Sequence, residues 1–411
     1  MLRKLFLLAA VVLSLPASAL EVSSLKTNHL ECAAGVGAEA PVFSWVGRSS
    51  NKNGCQSAYQ VRVWCEGSLV WDSGKVLSDN SITVRYAGQP LQPASLYTWQ
   101  VRIWDNLGKA SRWSGKCSFV TALFAPLEWS AQWIEPETTE ASPILRKEFS
   151  IRKKVQRAVL YATAHGVYEA SVNGRKVGDA FMTPGYTSYD NRLQYQTYDI
   201  TSMLAMGNNA IGVEMARGWY LSNMGFVGRK EFVPNFEGST FAFLGQIAIT
   251  YTDGSREIVA TDGSWRCSTG AVLHSSIYDG ETFDARCIKE GWNKAGFDDS
   301  GWNDVKVADY GYANLVSQEN GFVRNQEYVE ADTLFVTPAG ELVIDFGQNL
   351  VGSEEITFKG KAGQTIKVTH AEVLDENGNF YTHNLRSADA ASQYVCDGTL
   401  RTYSTKFTFY G

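Results

Sequence analysis

The sequence predicts an all-β protein made of tandem β-sandwich domains. Alternation of apolar and polar residues with period two dominates the chain, as in residues 59–65, where Tyr59, Val61 and Val63 would share one face of a strand. Turn-forming residues separate the alternating stretches, and a short helix is indicated only at residues 200–206. Strands joined by short turns, with almost no helix, favour sandwiches over helical or mixed folds.

The first 19 residues are typical of a secretory signal peptide. Arg3 and Lys4 supply a positive start, residues 5–15 an apolar core, and residues 17–19 a small-residue cleavage site. The apolar stretch is too short to cross a bilayer once Pro16 interrupts it, and no later stretch has the roughly 20 apolar residues of a membrane span. We therefore expect a bacterial protein that is secreted or periplasmic and has no membrane span.

Charge and cysteine content narrow the partners and cofactors. Without Arg3 and Lys4, the 37 basic side chains fall to 35 against 43 acidic ones, a net charge of −8, so no basic field would hold nucleic acid. The seven cysteines are an odd number, so at least one is free or pairs between chains. No C-x-x-C spacing occurs, so nothing indicates a zinc site.

Residues 20–124 are predicted to form a fibronectin type III-like or Ig-like domain. The strand pattern of residues 59–65 recurs at residues 97–104, with turns indicated at residues 71–74 and 88–91 between them. The recurrence could be an internal repeat, but we favour two strands of one sandwich, because such strands share the same alternation.

Residues 125–312 are predicted to form a second sandwich with one short helix. Asp199 or Thr201 would cap that helix, at residues 200–206, and Gly207 would follow its end. The predicted strands share the period-two alternation and lie at residues 145–149, 158–163, 168–172, 194–198, 210–215, 243–251 and 257–261.

Residues 313–411 are predicted to begin a third β-rich domain. Its last six residues, 406–411, alternate like a strand without a capping turn or a polar tail. We therefore expect this domain to be truncated, in a fragment or a shortened gene product. The earlier strands are predicted at residues 342–346, 352–359, 365–372 and 392–395.

The stretch 166–220 combines the side chains that a carbohydrate site requires. Sugars present hydroxyl edges and apolar C–H faces, so a site needs amide and carboxylate groups beside an aromatic ring. We assign hydroxyl binding to Asp190 and Asn191, with Gly218 and Trp219 forming the floor. In the alternative interpretation, Asp190 and Asn191 only close a turn and Trp219 belongs to the core.

Two dipeptides in the same stretch are predicted to be turns rather than site residues. Asn173-Gly174 lies between strand residues, and Asn-Gly favours the two-residue hairpin turn of type I′. Pro184-Gly185 is likewise a turn signal before anything else.

Six segments occur in a characteristic order. The second domain contains GVYEASVNGRKVGD, TPGYTSYDNRLQYQTYDIT and ARGWY, and the third contains DFGQN (residues 345–349), AEVL (371–374) and NLRSA (384–388). Together they resemble the bacterial α-L-rhamnosidase family, and residues 407–411 resemble a closing strand of its sandwich cut short. The resemblance implies a fibronectin type III/Ig-like domain, a jelly roll and the start of a concanavalin-like sandwich.

The resemblance also implies a reaction, the inverting hydrolysis of terminal α-L-rhamnosides, and L-rhamnose-containing glycans as partners. Inversion needs one carboxylic acid and one carboxylate held roughly 6.5–9.5 Å apart. In this family both are glutamates of an (α/α)6 barrel, which we expect to be missing from this chain, so no catalytic residue is assigned. No cofactor is required, although similar jelly rolls bind rhamnose through calcium. Asp190 and Asn191 would then be its ligands, far fewer than the usual six to eight oxygens.

Adjacent carboxylates and histidines do not change this assignment. Neighbouring positions on a strand point to opposite faces, so we interpret the pairs 298–299 and 354–355 as solvated surface charge. The histidines show no metal or triad spacing, and they are His29, His165, His274, His370 and His383.

Two functional hypotheses from different classes follow. In the first, the chain is the non-catalytic amino-terminal portion of an α-L-rhamnosidase, whose jelly roll binds rhamnose. In the second, it is a stand-alone exported carbohydrate-binding or scaffold protein. A scaffold of sandwich domains fits the fold equally well, but it explains the composition of residues 166–220 less well.

Overall fold

The computed structural model describes residues 20–411 except 32, 51, 138–140, 222–239 and 387. The predicted signal peptide therefore lies outside the described residues. The chain divides into two compact units, Met1–Thr121 and Ala122–Gly411. The described part of the chain contains strands, bridges and 3-10 turns but no α-helix, so the predicted all-β class is confirmed. It also contains no helix long and apolar enough to cross a membrane.

The first unit is a sandwich of a three-stranded sheet, β1-β3-β7, and a sheet of order β2-β9-β8-β4-β5, with β6 pairing β4. The predicted strands at residues 59–65 and 97–104 pair antiparallel in one sheet. This confirms that they are two strands of one sandwich. Its strands are β1 (Leu20–Thr27), β2 (Ala34–Val36), β3 (Val42–Ser49), β4 (Gln56–Cys65), β5 (Ser68–Asp72), β6 (Val76–Leu77), β7 (Val84–Arg85), β8 (Leu96–Asp105) and β9 (Cys117–Thr121).

Aromatic rings fill the interior of this unit. Phe43 and Trp99 stack with ring centroids 4.4 Å apart, and both are fully buried. The Trp99 indole N–H donates to the Thr27 hydroxyl at 3.0 Å, which satisfies a polar group that burial would otherwise leave without a partner.

The second unit contains a jelly-roll sandwich of two facing sheets. One has the order β23-β10-β17-β12-β15-β24, with β18 on β17, and the other the order β14-β13-β16-β11-β19-β22. The strands are β10 (Trp133–Glu135), β11 (Pro143–Ile151), β12 (Val155–His165), β13 (Val167–Val172), β14 (Arg175–Lys176), β15 (Leu193–Asp199), β16 (Gly207–Ala216), β17 (Ala242–Tyr251), β18 (Arg256–Ala260), β19 (Arg266–Thr269), β22 (Asn303–Asp304), β23 (Lys306–Ala308) and β24 (Leu315–Ser317).

One apolar core joins the two sheets. Leu160 and Val213, from opposite sheets, are fully buried in it, together with Phe243 and Trp265. Alternation puts these side chains on the inner faces of their strands, as the sequence predicts.

The region after the jelly roll consists of smaller sheets. Its four-stranded sheet, β20-β21-β31-β28, takes two strands from residues that precede 312 in sequence. The strands are β20 (Val272–Ser276), β21 (Gly280–Asp284), β25 (Thr333–Val336), β26 (Leu342–Asp345), β27 (Glu355–Lys359), β28 (Thr365–Thr369), β29 (Val373–Leu374), β30 (Phe380–Tyr381), β31 (Ala391–Val395) and β32 (Leu400–Ser404).

The predicted helix at residues 200–206 is wrong in type and length. Only a 3-10 turn forms, at Thr201–Met203, although Asp199 does accept a hydrogen bond from the Thr201 N–H at 2.9 Å. The amide of Asn209 binds both the N–H and the carbonyl of Ala205 at 2.8 Å, which ends the turn. The other 3-10 turns that the structure describes are Pro126–Glu128, Ala285–Cys287 and His383–Leu385.

The predicted strand at residues 406–411 is also wrong. The carboxylate of Glu281 accepts hydrogen bonds from the backbone N–H groups of Lys406 and Phe407 at 3.0 Å. These N–H groups therefore do not pair with a neighbouring strand. Only Tyr410 forms a bridge, with Gly352.

Candidate functional site

A row of aromatic rings lies at one end of the jelly roll. Trp219 follows the end of β16, and its ring centroid is 6.2 Å from that of Tyr186 and 6.4 Å from that of Phe409. Tyr186 also contacts Tyr189, at 6.0 Å. We call Phe409, Trp219, Tyr186 and Tyr189 the Trp219 row. Tyr186 is 53% exposed and Trp219 is partly exposed, so the row presents ring surface to solvent.

Gly218 fixes where Trp219 lies. Its φ of +53° belongs to a region that residues with a Cβ seldom adopt, and a Cβ there would stand 2.4 Å from Val167 Cγ1. The chain can therefore pass over β13 only with glycine at this position. Trp219 then packs against Val167 and Met182, so Gly218 holds the floor in place by its backbone.

Asp190 and Asn191 form an exposed turn beside the row. The N–H groups of Asn191 and Arg192 donate to the Ser188 carbonyl at 2.9 and 2.8 Å, and the Asn191 amide donates to the Ser188 hydroxyl at 3.1 Å. The pair does close a turn, as the alternative interpretation has it, while both side chains still reach solvent.

Asp190 is linked to Trp219 through the tyrosine that follows it in sequence. Burial raises the pKa of Tyr220 to about 12, and the nearby negative charge of Asp190 adds to this rise. The Tyr220 ring meets the Tyr189 ring at 5.1 Å. The four residues that we predicted for the site thus lie in one neighbourhood of the fold.

Further rings, which sequence analysis did not assign to the site, pack behind the Trp219 row. The His165 ring stacks between Tyr220, at 4.4 Å, and Trp133, at 4.5 Å. Tyr310 meets the same imidazole edge-on at 4.6 Å and donates its hydroxyl to Glu135. These residues come from distant parts of the chain, and no local motif joins them.

His165 is a neutral ring at neutral pH, next to the ion pair of Glu135 and Lys306. Burial lowers the pKa of His165 to about 4, although the charge of Glu135 opposes that shift. Burial alone would raise the pKa of Glu135, but hydrogen bonds from Tyr310 and Lys306 lower it. The imidazole therefore acts at neutral pH as a flat, neutral ring behind Tyr220.

The two predicted turns have structural roles. Asn173 and Gly174 both have positive φ, at 52° and 78°, and connect β13 to β14 as a two-residue hairpin turn. The Asn173 amide also accepts from the Ala210 N–H at 2.9 Å and donates to the Met203 carbonyl at 3.0 Å. Pro184 stands in a turn after a cis peptide bond with Thr183.

The interpretation of the adjacent carboxylates as solvated charge is wrong for two of them. The Glu354 side chain is only 6% exposed and lies 3.3 Å from His370 and 2.6 Å from the Tyr394 hydroxyl. Asp299 pairs with the fully buried Arg146. Both anions meet cationic or donor groups from residues far along the chain, contacts that strand alternation does not predict. Asp298 binds the Ser300 N–H at 3.0 Å, and Glu355 is exposed.

A calcium site at Asp190 and Asn191 finds little support in their surroundings. The part of the chain that the structure describes has no group of three or more His, Cys, Asp or Glu side chains able to hold a metal ion. Two oxygens on one exposed turn do not make the shell of six to eight that calcium prefers. The residues present at this turn do not fit a dedicated calcium site.

The fold and this site define a multidomain β-sandwich protein whose second compact unit contains a jelly roll. Three family models match the chain: the Rha78A-like N-terminal immunoglobulin domain over residues 22–125, the alpha-L-rhamnosidase N-terminal domain over 153–327, and the bacterial alpha-L-rhamnosidase concanavalin-like domain over 336–411. The chain belongs to the α-L-rhamnosidase family and corresponds to its amino-terminal part.

Curated relatives and solved structures agree with this placement. An α-L-rhamnosidase of Streptomyces avermitilis is 30% identical over 96% of this chain and 55% of its own length, and one of Formosa agariphila is 34% identical over 90% and 42%. The structure of the Streptomyces enzyme complexed with L-rhamnose superposes with a TM-score of 0.89. That of the Aspergillus terreus enzyme, 34% identical over 96% of this chain and 46% of its own, gives 0.90. The chain spans about half the length of the curated relatives it matches.

Proposed function

We propose that this chain is the non-catalytic amino-terminal portion of an α-L-rhamnosidase and that the Trp219 row binds L-rhamnose-containing glycans. The observation that carries the proposal is an exposed aromatic surface next to an exposed carboxylate and amide. Trp219 and Tyr186 offer ring faces for the C–H side of a sugar, and Asp190 and Asn191 offer oxygens and an N–H pair for its hydroxyls. The solved relative complexed with L-rhamnose supports this choice of sugar.

The side chains indicate how a rhamnose ring would lie in the site. A rhamnose ring, which carries an apolar methyl group, would lie on Trp219 and Tyr186. Its hydroxyls would meet the carboxylate of Asp190, which is free to accept because the turn is held by backbone groups and by Asn191. Gly218 sets the depth of the floor, since any side chain there would displace Trp219 from Val167.

Calorimetric titration of the purified chain with L-rhamnose tests binding. Tyr186→Ala removes an exposed ring and should weaken binding at least fivefold without lowering thermal stability. Tyr328→Ala is the matched control, since Tyr328 is 76% exposed and has no part in the row. Equal affinity in Tyr186→Ala and wild type would place the sugar elsewhere. Calcium and then a chelator, added in the same experiment, test whether binding needs the ion. We expect neither to change the affinity, because Asp190 and Asn191 alone do not fit a calcium site.

Release of a chromophore from an aryl α-L-rhamnoside tests the non-catalytic part of the proposal. We expect no turnover by this chain above the rate without protein. Turnover would show that catalytic groups lie among these residues and would overturn that part, whatever the titration shows.

We also propose that the protein is exported from a bacterial cell. The support is the charge and apolar pattern of residues 1–19. Mass spectrometry of the mature protein should give a chain that begins near Leu20, recovered from the periplasm or the medium. A cytoplasmic protein that retains residues 1–19 would contradict export.

A further inference from the structure

A cavity of about 270 Å³ lies where β19 extends past the end of β22. None of the four residues of the Trp219 row lines it. Carbohydrate sites combine an aromatic ring with side chains that bind hydroxyl groups, and this lining has the same combination. Its ring and its polar side chains belong to Trp302, Glu137, Ser268, Thr269 and Asn303.

The loop that carries Trp302 is held against the jelly roll by a buried guanidinium. Arg146, on β11, is 1% exposed and donates to the carbonyl groups of Trp292, at 2.8 Å, and Lys294, at 3.1 Å. Arg146 also pairs with the carboxylate of Asp299, whose carbonyl accepts the Trp302 N–H at 2.9 Å. The loop is therefore ordered before any ligand binds, so binding does not have to order it.

Two further rings fix the position of the Trp302 ring. Its centroid lies 6.2 Å from that of Trp292 and 5.7 Å from that of Phe297, which meets it edge-on. Trp292 in turn lies over Gly212 of β16, where a Cβ would stand 2.6 Å from the Trp292 ring. Trp302 remains partly exposed, so part of its ring can contact the apolar C–H face of a sugar.

The polar side chains of the lining are arranged to bind hydroxyl groups. The Asn303 amide donates to one carboxylate oxygen of Glu137 at 2.7 Å, which orients both groups. The other Glu137 oxygen and the Asn303 carbonyl can still accept from a ligand. Ser268 points away from the core, because its neighbour Cys267 belongs to the core, and Thr269 adds a second hydroxyl.

The charge of the lining favours a neutral ligand. Glu137 is the one charged side chain among the described residues that line the cavity. Lys289 lies outside this lining, and its ammonium donates to the Thr269 carbonyl at 2.6 Å. A ligand carboxylate in the cavity would therefore meet the negative charge of Glu137.

We propose that this cavity is a subsite for a neutral, fully hydroxylated hexose unit. The sugar ring lies on Trp302, and its hydroxyls bind Glu137, Asn303 and the two hydroxyl side chains. Four polar side chains beside one ring favour a full set of hydroxyls, whereas the four rings of the Trp219 row favour a sugar with a methyl group. The choice of a saccharide rests on the proposed function, and a glycan with both units would be held at two points.

Calorimetric titration of the full chain with D-glucose, D-galactose and D-galacturonate tests the subsite. We expect at least one of the two neutral hexoses to bind at least fivefold more tightly than D-galacturonate. Absence of binding by both neutral hexoses overturns the subsite. Equally tight binding of D-galacturonate overturns the preference for a neutral unit.

Variants of Trp302 test the role of the ring. Trp302→Ala should weaken hexose binding at least tenfold and leave L-rhamnose binding unchanged, whereas Trp302→Phe keeps a ring and should retain most of the affinity. Thermal unfolding of both variants checks that the loop remains packed. Hexose binding that persists in a folded Trp302→Ala protein would contradict the proposal.

Glu137→Gln tests the charge without removing a contact of the ring. The variant keeps an oxygen for the Asn303 amide and loses the negative charge, so D-galacturonate should bind within twofold of the neutral hexose. Glu290→Gln, at an exposed position of the same loop and outside the lining, is the matched control and should keep the wild-type preference. An unchanged preference in Glu137→Gln would show that Glu137 does not select the ligand.

Tyr186→Ala separates this subsite from the Trp219 row. It should weaken binding of L-rhamnose and leave hexose binding at the wild-type level. Loss of hexose binding in this variant would contradict a separate subsite. Hexose binding that depends on Trp302, in a chain that does not bind L-rhamnose, would overturn the proposed role of the Trp219 row and support the subsite.

Discussion

The jelly roll and the region that follows it differ in how they bury apolar side chains. The jelly roll encloses a continuous core between two large sheets. In the following region the hairpin β25–β26 is a two-stranded sheet with four apolar side chains on one exposed face. These side chains are 43–68% exposed, and they are Leu334, Val336, Leu342 and Ile344. The jelly roll thus covers its apolar side chains with its own two sheets, whereas the hairpin β25–β26 leaves one apolar face uncovered by the described residues.

The two regions meet at Lys406 and Phe407. Phe407 is 2% exposed and belongs to the same cluster as Val167 and Trp219. Lys406 lies 2.8 Å from Glu169 and also pairs with Glu214. Residues 406–407 therefore support the floor of the candidate sugar site.

Phe407→Ala should lower stability the most, because Phe407 is buried where the two regions meet. Loss of a buried phenylalanine costs about 4 kcal/mol of unfolding free energy, because it leaves a cavity among Val167, Met182 and Trp219. Denaturant unfolding measures the loss. Phe409→Ala is the matched control, since Phe409 is 39% exposed, and it should cost less than about 1 kcal/mol. Equal losses in the two variants would contradict the supporting role of Phe407.

Glu281→Gln should change how the stability depends on pH. Burial raises the pKa of Glu281 to about 7, against 4.5 for the exposed group, so its stabilising proton is fully present below pH 4.5 and lost as pH rises through 7. Wild type should therefore lose up to about 3 kcal/mol between these pH values from this residue, and the variant should not. Unfolding at pH 4.5 and 8 measures the difference. Glu355→Gln, at an exposed position, should keep the wild-type pH dependence.

Lys406→Met should cost about 2 kcal/mol at pH 7, between the values for surface and buried ion pairs, since the Lys406 side chain is 33% exposed. Burial alone would raise the pKa of Glu169, but Lys406 and Lys176 lower it. The deficit of the variant should therefore shrink as pH falls and Glu169 gains a proton. A deficit that is independent of pH would show that lost packing, rather than charge, causes it.

Leu334→Thr should have the smallest effect. Leu334 is 61% exposed on the hairpin face, so replacement by a polar residue of high strand propensity should change stability by at most about 0.5 kcal/mol. A loss near that of Phe407→Ala would mean that another surface covers this face in solution. Sedimentation of the purified chain would then show whether that surface belongs to a second copy of the chain.

Sequence periodicity predicted the sheets well because strand alternation is a local property. The strand around Val61 was predicted from alternation, and Val61 and Val63 are buried as expected. The strand around Leu160 was predicted too, but it is buried on both faces. The Asn173-Gly174 turn was also predictable, because the conformation of that dipeptide is set by the two residues themselves.

Failures of prediction occurred where a distant residue decides the local structure. Phe407 has a strand-like pattern, but Glu281, 126 positions away, binds its backbone N–H. The packing of His165 between Trp133 and Tyr220 depends in the same way on three separate segments. For the candidate site, sequence patterns therefore indicated the exposed residues and missed the rings behind them.

A crystal structure of this chain soaked with L-rhamnose tests the proposed sugar site most directly. We predict a sugar ring that lies on Trp219 and Tyr186, with a hydroxyl within hydrogen-bonding distance of the Asp190 carboxylate. A rhamnose bound at another surface, with the Trp219 row unoccupied, would contradict the central claim.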